Sequence, residues 1–211
     1  MTKLQVLLIH GGMTFKTKKE YLNYLETKDI SLEKRSSWSG SYLDSMLGRN
    51  YQVIRPRMPL SDNASYSEWK ILFERYLSML TTPCILIGNS LGGIFLAKYL
   101  SEHRVSKKIL GTYLVCPPFD GSLSNEDLCN GFTLPKSLEL LEQNVHHVTL
   151  YFSQDDDVVP VSHAWKYRDK LQSANVIVFE SKNGHFSISE FPEIIAQIKS
   201  DVRNCKKKRI I

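Results

Sequence analysis

The chain has 211 residues, 42% of them apolar and 23% charged, with a formal net charge of +5. That length and balance fit one globular domain with a sizeable core and argue against a chain disordered throughout. No run of about 18 apolar residues is present to span a membrane. The basic tail 206–209 carries four of the positive charges, so the rest is near neutral, without the basic stripe that nucleic acid requires.

In chain order, the first apolar run, "LQVLLI" (4–9), ends in His10-Gly11-Gly12 rather than a small-residue cleavage site, and reads as a strand, not a leader. About 40 residues precede the next run, "YQVIRP" (51–56). This 14–50 insertion opens with Thr17-x-x-Glu20, a capping box, with Tyr21, Tyr24 and Leu25 at helical spacing, and a second helix is expected around 38–47. Leaving the carboxyl end of the first strand, its first helix is either a partial lid or a plain surface helix. A helix over about 66–80, with Trp69, Leu72, Phe73, Tyr76 and Leu80 on one stripe, leads to "CILIG" (84–88) and then to a helix over 91–103.

Further strands are expected at 109–116, 148–153 and 175–180, and helices at 134–144, 161–172 and 188–202, the last with Ile188, Phe191, Ile194, Ile195 and Ile198 on one side. The strand runs are near-continuous and apolar, as in a parallel sheet covered on both faces. The alternation predicts an α/β fold: a doubly wound, mostly parallel sheet of about six strands with helices on both faces, and ligands beyond the carboxyl ends of the strands. Residues 1–205 read as one domain and 206–211 as a solvated, frayed basic tail. Four scattered cysteines without a Cys-x-x-Cys pair fit a reducing compartment, taken as the cytoplasm, and the "NAS" at 63–65 reads as a chance glycosylation match.

At the third strand's end stands "GNSLGG" (88–93), a Gly-x-Ser-x-Gly pattern between a strand and a helix. Such a turn brings backbones so close that a Cβ would collide, and it exposes Ser90 Oγ as a nucleophile. A serine hydroxyl needs a base, and the base needs an acid to fix its tautomer. Of the six histidines, His146 and His147 precede a strand, His103 and His163 fall in or at the ends of helices, and His10 shapes the glycine loop. His185, in "KNGHF" beyond the last strand, is left as the base. The acid has four candidates at the same sheet edge: Asp155, Asp156 and Asp157 in "SQDDDVVP", and Asp120 in "CPPFDG". The order Ser, Asp, His is that of the α/β-hydrolase arrangement. By the same geometry, one oxyanion donor is the N–H of Leu91.

With "LLIHGG" (7–12), "GNSLGG" (88–93), "SQDDDVVP" (153–160) and "NGHF" (183–186) in order at strand ends, the chain resembles an α/β-hydrolase. It is most similar to the small serine-hydrolase family that includes the retinoblastoma-binding serine hydrolase. The resemblance implies Asp156 as the acid, opening an Asp-x-x-Val-Pro pattern, with Asp157 second. It also implies Gly12 as the second oxyanion donor, with Met13 as its neighbour. Two departures are the longer 14–50 insertion and Asn89, where histidine or tyrosine is common; the Asn89 side chain is expected to point away from the nucleophile.

The function expected is hydrolysis of a small ester, thioester or amide through an acyl-enzyme, carboxylesterase-like, with no metal or cofactor. The partner is a small-molecule acyl substrate. Met13, Phe119, Phe132 and Leu134 are the expected pocket residues, the last three in a 117–135 segment too short for a large cap. Two other readings use the same residues: acyl transfer to an acceptor other than water, and a low-activity scaffold binding a protein through 14–50 or 117–135. Nine Lys/Arg against five Asp/Glu over 14–57 either favour anionic substrates or keep that surface soluble.

Overall fold

A computed structural model describes residues 3–33, 36–81 and 83–208. Six strands, β1 (Leu4–Ile9), β2 (Tyr51–Ile54), β3 (Cys84–Asn89), β4 (Ile109–Val115), β5 (Val148–Ser153) and β6 (Asn175–Phe179), form one parallel sheet in the order β2-β1-β3-β4-β5-β6. From β1 the chain steps outward to β2 and then returns to the other side of β1 as β3. The carboxyl ends of β1 and β3 therefore flank the point where strand order reverses, the crevice in which such sheets hold ligands.

Both faces of the sheet are covered, which is why its strands are continuously apolar. Leu7 and Ile9 of β1 face a core built with Trp69 and Phe73 of α3 (Tyr66–Met79), Ile94 and Phe95 of α4 (Leu91–Glu102), Leu141 of α5 (Glu139–Asn144) and Tyr167 of α6 (Ser162–Lys170). Val6 and Leu8 face the opposite core, with Trp38, Leu43 of α2 (Leu43–Leu47), and Ile194 and Ile198 of α7 (Pro192–Lys207). Trp38 and Trp69 are each at most 1% exposed, and truncating either to alanine costs about 3–5 kcal/mol.

Several boundaries differ from expectation. The helix expected over 134–144 forms only at Glu139–Asn144, consistent with Pro135 interrupting the start of that pattern. The last helix begins at Pro192, not 188, because proline is suited to a first helical position and Ile188 precedes it in a loop. It continues through Lys207, so the start of the basic tail is helical rather than frayed: Val202 and Cys205 stay buried, and Lys206 and Lys207 suit the negative C-terminal end of the helix. Arg209 and the two residues after it lie outside the described residues. In the insertion, Thr17 caps α1 (Lys18–Thr27) through a complete capping box with Glu20, as its sequence predicts. None of α1 is buried. The expected second helix is two pieces, a turn at Trp38–Tyr42 broken at Gly40 and then α2. No helix among the described residues is long and apolar enough to cross a membrane.

Candidate active site

Ser90 stands between β3 and α4 with φ 52° and ψ −120°, a strained backbone for a residue with a side chain. Close approach explains the flanking glycines. A Cβ on Gly88 would lie 2.5 Å from Gly92 O, and one on Gly92 would lie 2.3 Å from Ile9 O, both against backbone with no room to move. The turn is held from below by Ser90 N–H donating to Val115 O at 2.8 Å.

Two loops bring their side chains to this turn. His185 Nε2 is 2.8 Å from Ser90 Oγ, and His185 Nδ1 is 2.9 Å from both carboxylate oxygens of Asp156. The Asp156 side chain is 1% exposed and that of His185 19%. Asp156 Oδ1 also accepts the N–H groups of Val158 (2.9 Å) and Val159 (2.8 Å), so the carboxylate is buried but well bonded.

The remaining acid candidates are used elsewhere. Asp155 braces the loop that carries His185: it accepts the hydroxyls of Ser153 and Ser181 and the N–H groups of Lys182 (3.0 Å) and Gly184 (3.1 Å). Those hydroxyl bonds, led by that of Ser153, hold its carboxyl well below the usual carboxylate range. The Asp157 carboxylate lies against Gly184, where an added Cβ would come within 3.1 Å of it. Asp120 is paired with Lys166 and bonded by Ser122. Burial works to raise the Asp120 carboxyl, but those bonds outweigh it and hold it at about 2.

Because Asp155 braces the loop of His185 without touching the imidazole, Asp155→Ala is expected to lower kcat by about tenfold to a hundredfold with a smaller change in KM. Steady-state kinetics decide this, and an unchanged kcat would show that the loop holds without the brace.

Two of the other histidines do structural work. His10 Nε2 accepts the N–H of Met58 at 2.9 Å, fixing the loop after β1. His163 is fully buried; its Nδ1 accepts the N–H of Phe119 at 2.8 Å and its Nε2 lies 3.0 Å from Ser122 O, which latches the loop after β4. Burial lowers its pKa, favouring the neutral ring that this pairing needs.

Cys116, at the end of β4, was not foreseen as part of the site. It has φ 41°, and its buried Sγ lies 3.7 Å from His185 Nε2 and 3.8 Å from Asn89 Oδ1. The Asn89 side chain turns its Oδ1 toward this thiol. Burial opposes the charged form of His185, yet Cys116 and Asp156 outweigh it and the imidazole pKa is raised above 6.5. We attribute the rise to Asp156, because burial also pushes the Cys116 thiol up and keeps it neutral near pH 7. Cys116, Asp156 and His185 are also the one group of potential metal ligands among the described residues, with both Asp156 oxygens already bonded to His185.

Leu91 is the first residue of α4, so its N–H has no carbonyl a turn back within the helix to accept it. Gly12 packs beside it; a Cβ there would lie 3.2 Å from Leu91 Cδ2 and 2.7 Å from Ser61 O. Met13 N–H is committed to Ser61 O at 2.8 Å, which removes Met13 as an oxyanion donor.

The four expected pocket residues divide between two cavities. Phe119, Phe132 and Leu134 line a cavity of about 380 Å³ together with Leu128 and Lys170. Met13 instead lines a second one, of about 410 Å³, between α1 and residues 123–127. Phe132 is itself fully buried against Trp69 and Tyr66. The first helix of the insertion thus forms a wall of a groove that starts at the loop after β1.

The chain is similar in sequence and fold to known proteins. Residues 34–199 match the serine hydrolase family. The chain is 28% identical over 172 residues to the serine hydrolase RBBP9 of Rattus norvegicus, an alignment covering 82% of this chain and 88% of that protein. Its fold is similar to that of the ydeN gene product of B. subtilis, at a TM-score of 0.75 and 19% identity over 95% of this chain and all of the other. It is also similar to a pyrethroid hydrolase from Sphingobium faniae JZ-2, at a TM-score of 0.58 and 14% identity over 98% of this chain and all of the other.

Proposed function

Because the chain belongs to the serine hydrolase family, with the α/β-hydrolase fold, we propose that it cleaves small ester, thioester or amide substrates through an acyl-enzyme on Ser90. The observation that carries this reading is the unbroken line from Ser90 Oγ through His185 to Asp156, at 2.8 and 2.9 Å.

Ser90 Oγ attacks the substrate carbonyl as its proton passes to His185 Nε2, and Asp156 stabilises the imidazolium that results. The charge that develops on the carbonyl oxygen is met by the N–H groups of Leu91 and Gly12, each such donor being worth about 2.7–4 kcal/mol of barrier. His185 then hands its proton to the departing alcohol, thiol or amine. Water repeats the sequence on the acyl-enzyme and restores Ser90.

A 117–135 segment too short for a large cap supports small substrates. A fluorophosphonate is expected to label Ser90, located by mass spectrometry, and a panel of p-nitrophenyl esters to show a preference for short acyl chains. A folded protein that resists labelling, or one that prefers long-chain esters, would overturn the carboxylesterase-like reading.

A further inference from the structure

The groove between α1 and residues 123–127 contains a carboxylate that the mechanism above does not use. Glu126 is held in place from both sides. Two residues before it, Ser124 N–H donates to Val158 O at 3.2 Å, on the loop that carries Asp156. One residue after it, Asp127 pairs with Thr14 as an isolated antiparallel bridge, and Thr14 Oγ1 donates to Asp127 O at 2.7 Å. Glu126 therefore spans the gap between the loop bearing the acid and the loop bearing Gly12 and Met13. It lines the groove with Met13, and is close enough to His185 and Asp156 for their charges to interact.

Three carboxylates line this groove, and two are already matched. Glu20 closes the capping box on Thr17 N–H at 2.8 Å, and Asp127 is paired with Lys16. Nearby Lys28 is shared between Asp62, at 3.7 Å, and the ring of Tyr24. Among the described residues no lysine or arginine pairs with Glu126, although it is half-buried and burial raises its carboxyl pKa. A carboxylate partly removed from water, with no lysine or arginine beside it and only the His185 imidazole near enough to offset its charge, is stabilised further when a bound cation supplies more. The far wall of the groove is aromatic, with the rings of Phe15 and Tyr24 at 5.2 Å, a surface suited to an organic cation.

Resting on the acyl-enzyme reading above, the geometry points to a substrate that carries an ammonium group, seated in this groove against Glu126 with its scissile carbonyl at Ser90. This is the reverse of the anionic preference that is one of two readings of the insertion's basic composition, because recognition is set by the charge facing the groove and not by the sum over the segment.

The test compares S-butyrylthiocholine with its uncharged carbon isostere, S-(3,3-dimethylbutyl) thiobutyrate. Two quantities are measured in the full-length protein: kcat/KM from thiol release, and the concentration of each compound that halves the rate of fluorophosphonate labelling at Ser90. A charge-assisted contact in a half-buried groove predicts a preference for the cation of roughly tenfold or more in either readout. In E126Q the ratio should fall toward one whatever happens to the absolute rates, and in E126D part of the preference should remain. Equal values for the two compounds in the unmodified protein, or a preference that survives E126Q, would overturn the assignment while labelled Ser90 leaves the hydrolase reading standing. Absence of Ser90 labelling in folded protein would overturn both.

Discussion

Ser90→Ala is expected to lower hydrolysis by on the order of 10⁶-fold, the scale seen when the nucleophile of such a site is removed. Only the Oγ atom is lost, and with it the 2.8 Å bond to His185, a difference of about 1 kcal/mol in stability. The strained φ of 52° is the same for alanine as for serine, and the glycine contacts around the turn are untouched. The variant should therefore melt within a few degrees of the parent while neither turning over esters nor reacting with a fluorophosphonate. Undiminished turnover would require another nucleophile, and the first to examine would be Cys116, whose Sγ lies 3.7 Å from the same imidazole nitrogen.

Asp156→Asn tests the acid and has the second largest expected effect, a loss of about 10⁴-fold in kcat. Asp156 Oδ1 accepts the N–H groups of Val158 and Val159, so an asparagine keeps its carbonyl oxygen there and turns its NH₂ group toward His185 Nδ1. That nitrogen must then accept, the ring proton moves to Nε2, and Nε2 has no lone pair left for the proton of Ser90. The pH profile supplies an independent check. Burial favours neutral His185, but its bond to Asp156 outweighs this and raises its pKa above 6.5, and the base works only when neutral. In the parent, kcat/KM should thus climb with pH through a midpoint above 6.5. In the variant the residual activity should show a lower midpoint, because the amide no longer supports the imidazolium while burial still opposes it. A loss of less than tenfold with an unmoved midpoint would return the role of acid to Asp155 or Asp157.

Those three consecutive aspartates mark where reading the chain alone reaches its limit. Their position at the end of a strand is legible, since continuous apolar runs announce the parallel sheet and its carboxyl edge. Their roles are not, because neighbours in a turn differ by where the backbone aims them. Asp155 braces the His185 loop, Asp156 meets the imidazole, and Asp157 lies against Gly184. Resemblance to a family separated them where periodicity had left four candidates. The expected pocket divides for a similar reason: Phe132 is taken up by Trp69 and Tyr66 in the core, and Met13 follows the loop after β1 into a different groove.

By itself the sequence determined the six-stranded parallel sheet, the crowded turn that presents Ser90, the capped helix in the insertion, and the order of serine, aspartate and histidine. Each follows from forces that act within a few residues: side-chain periodicity, capping, and the space a Cβ occupies. Only the tertiary structure decided which groups meet. Ser90 and His185 are 95 positions apart, and Asp156 and His185 are 29 apart. Glu126 and Cys116 carry no local pattern at all. Distances across such separations are set by how the sheet stacks its strand ends and how the loops are pinned, and no short window of residues contains that information.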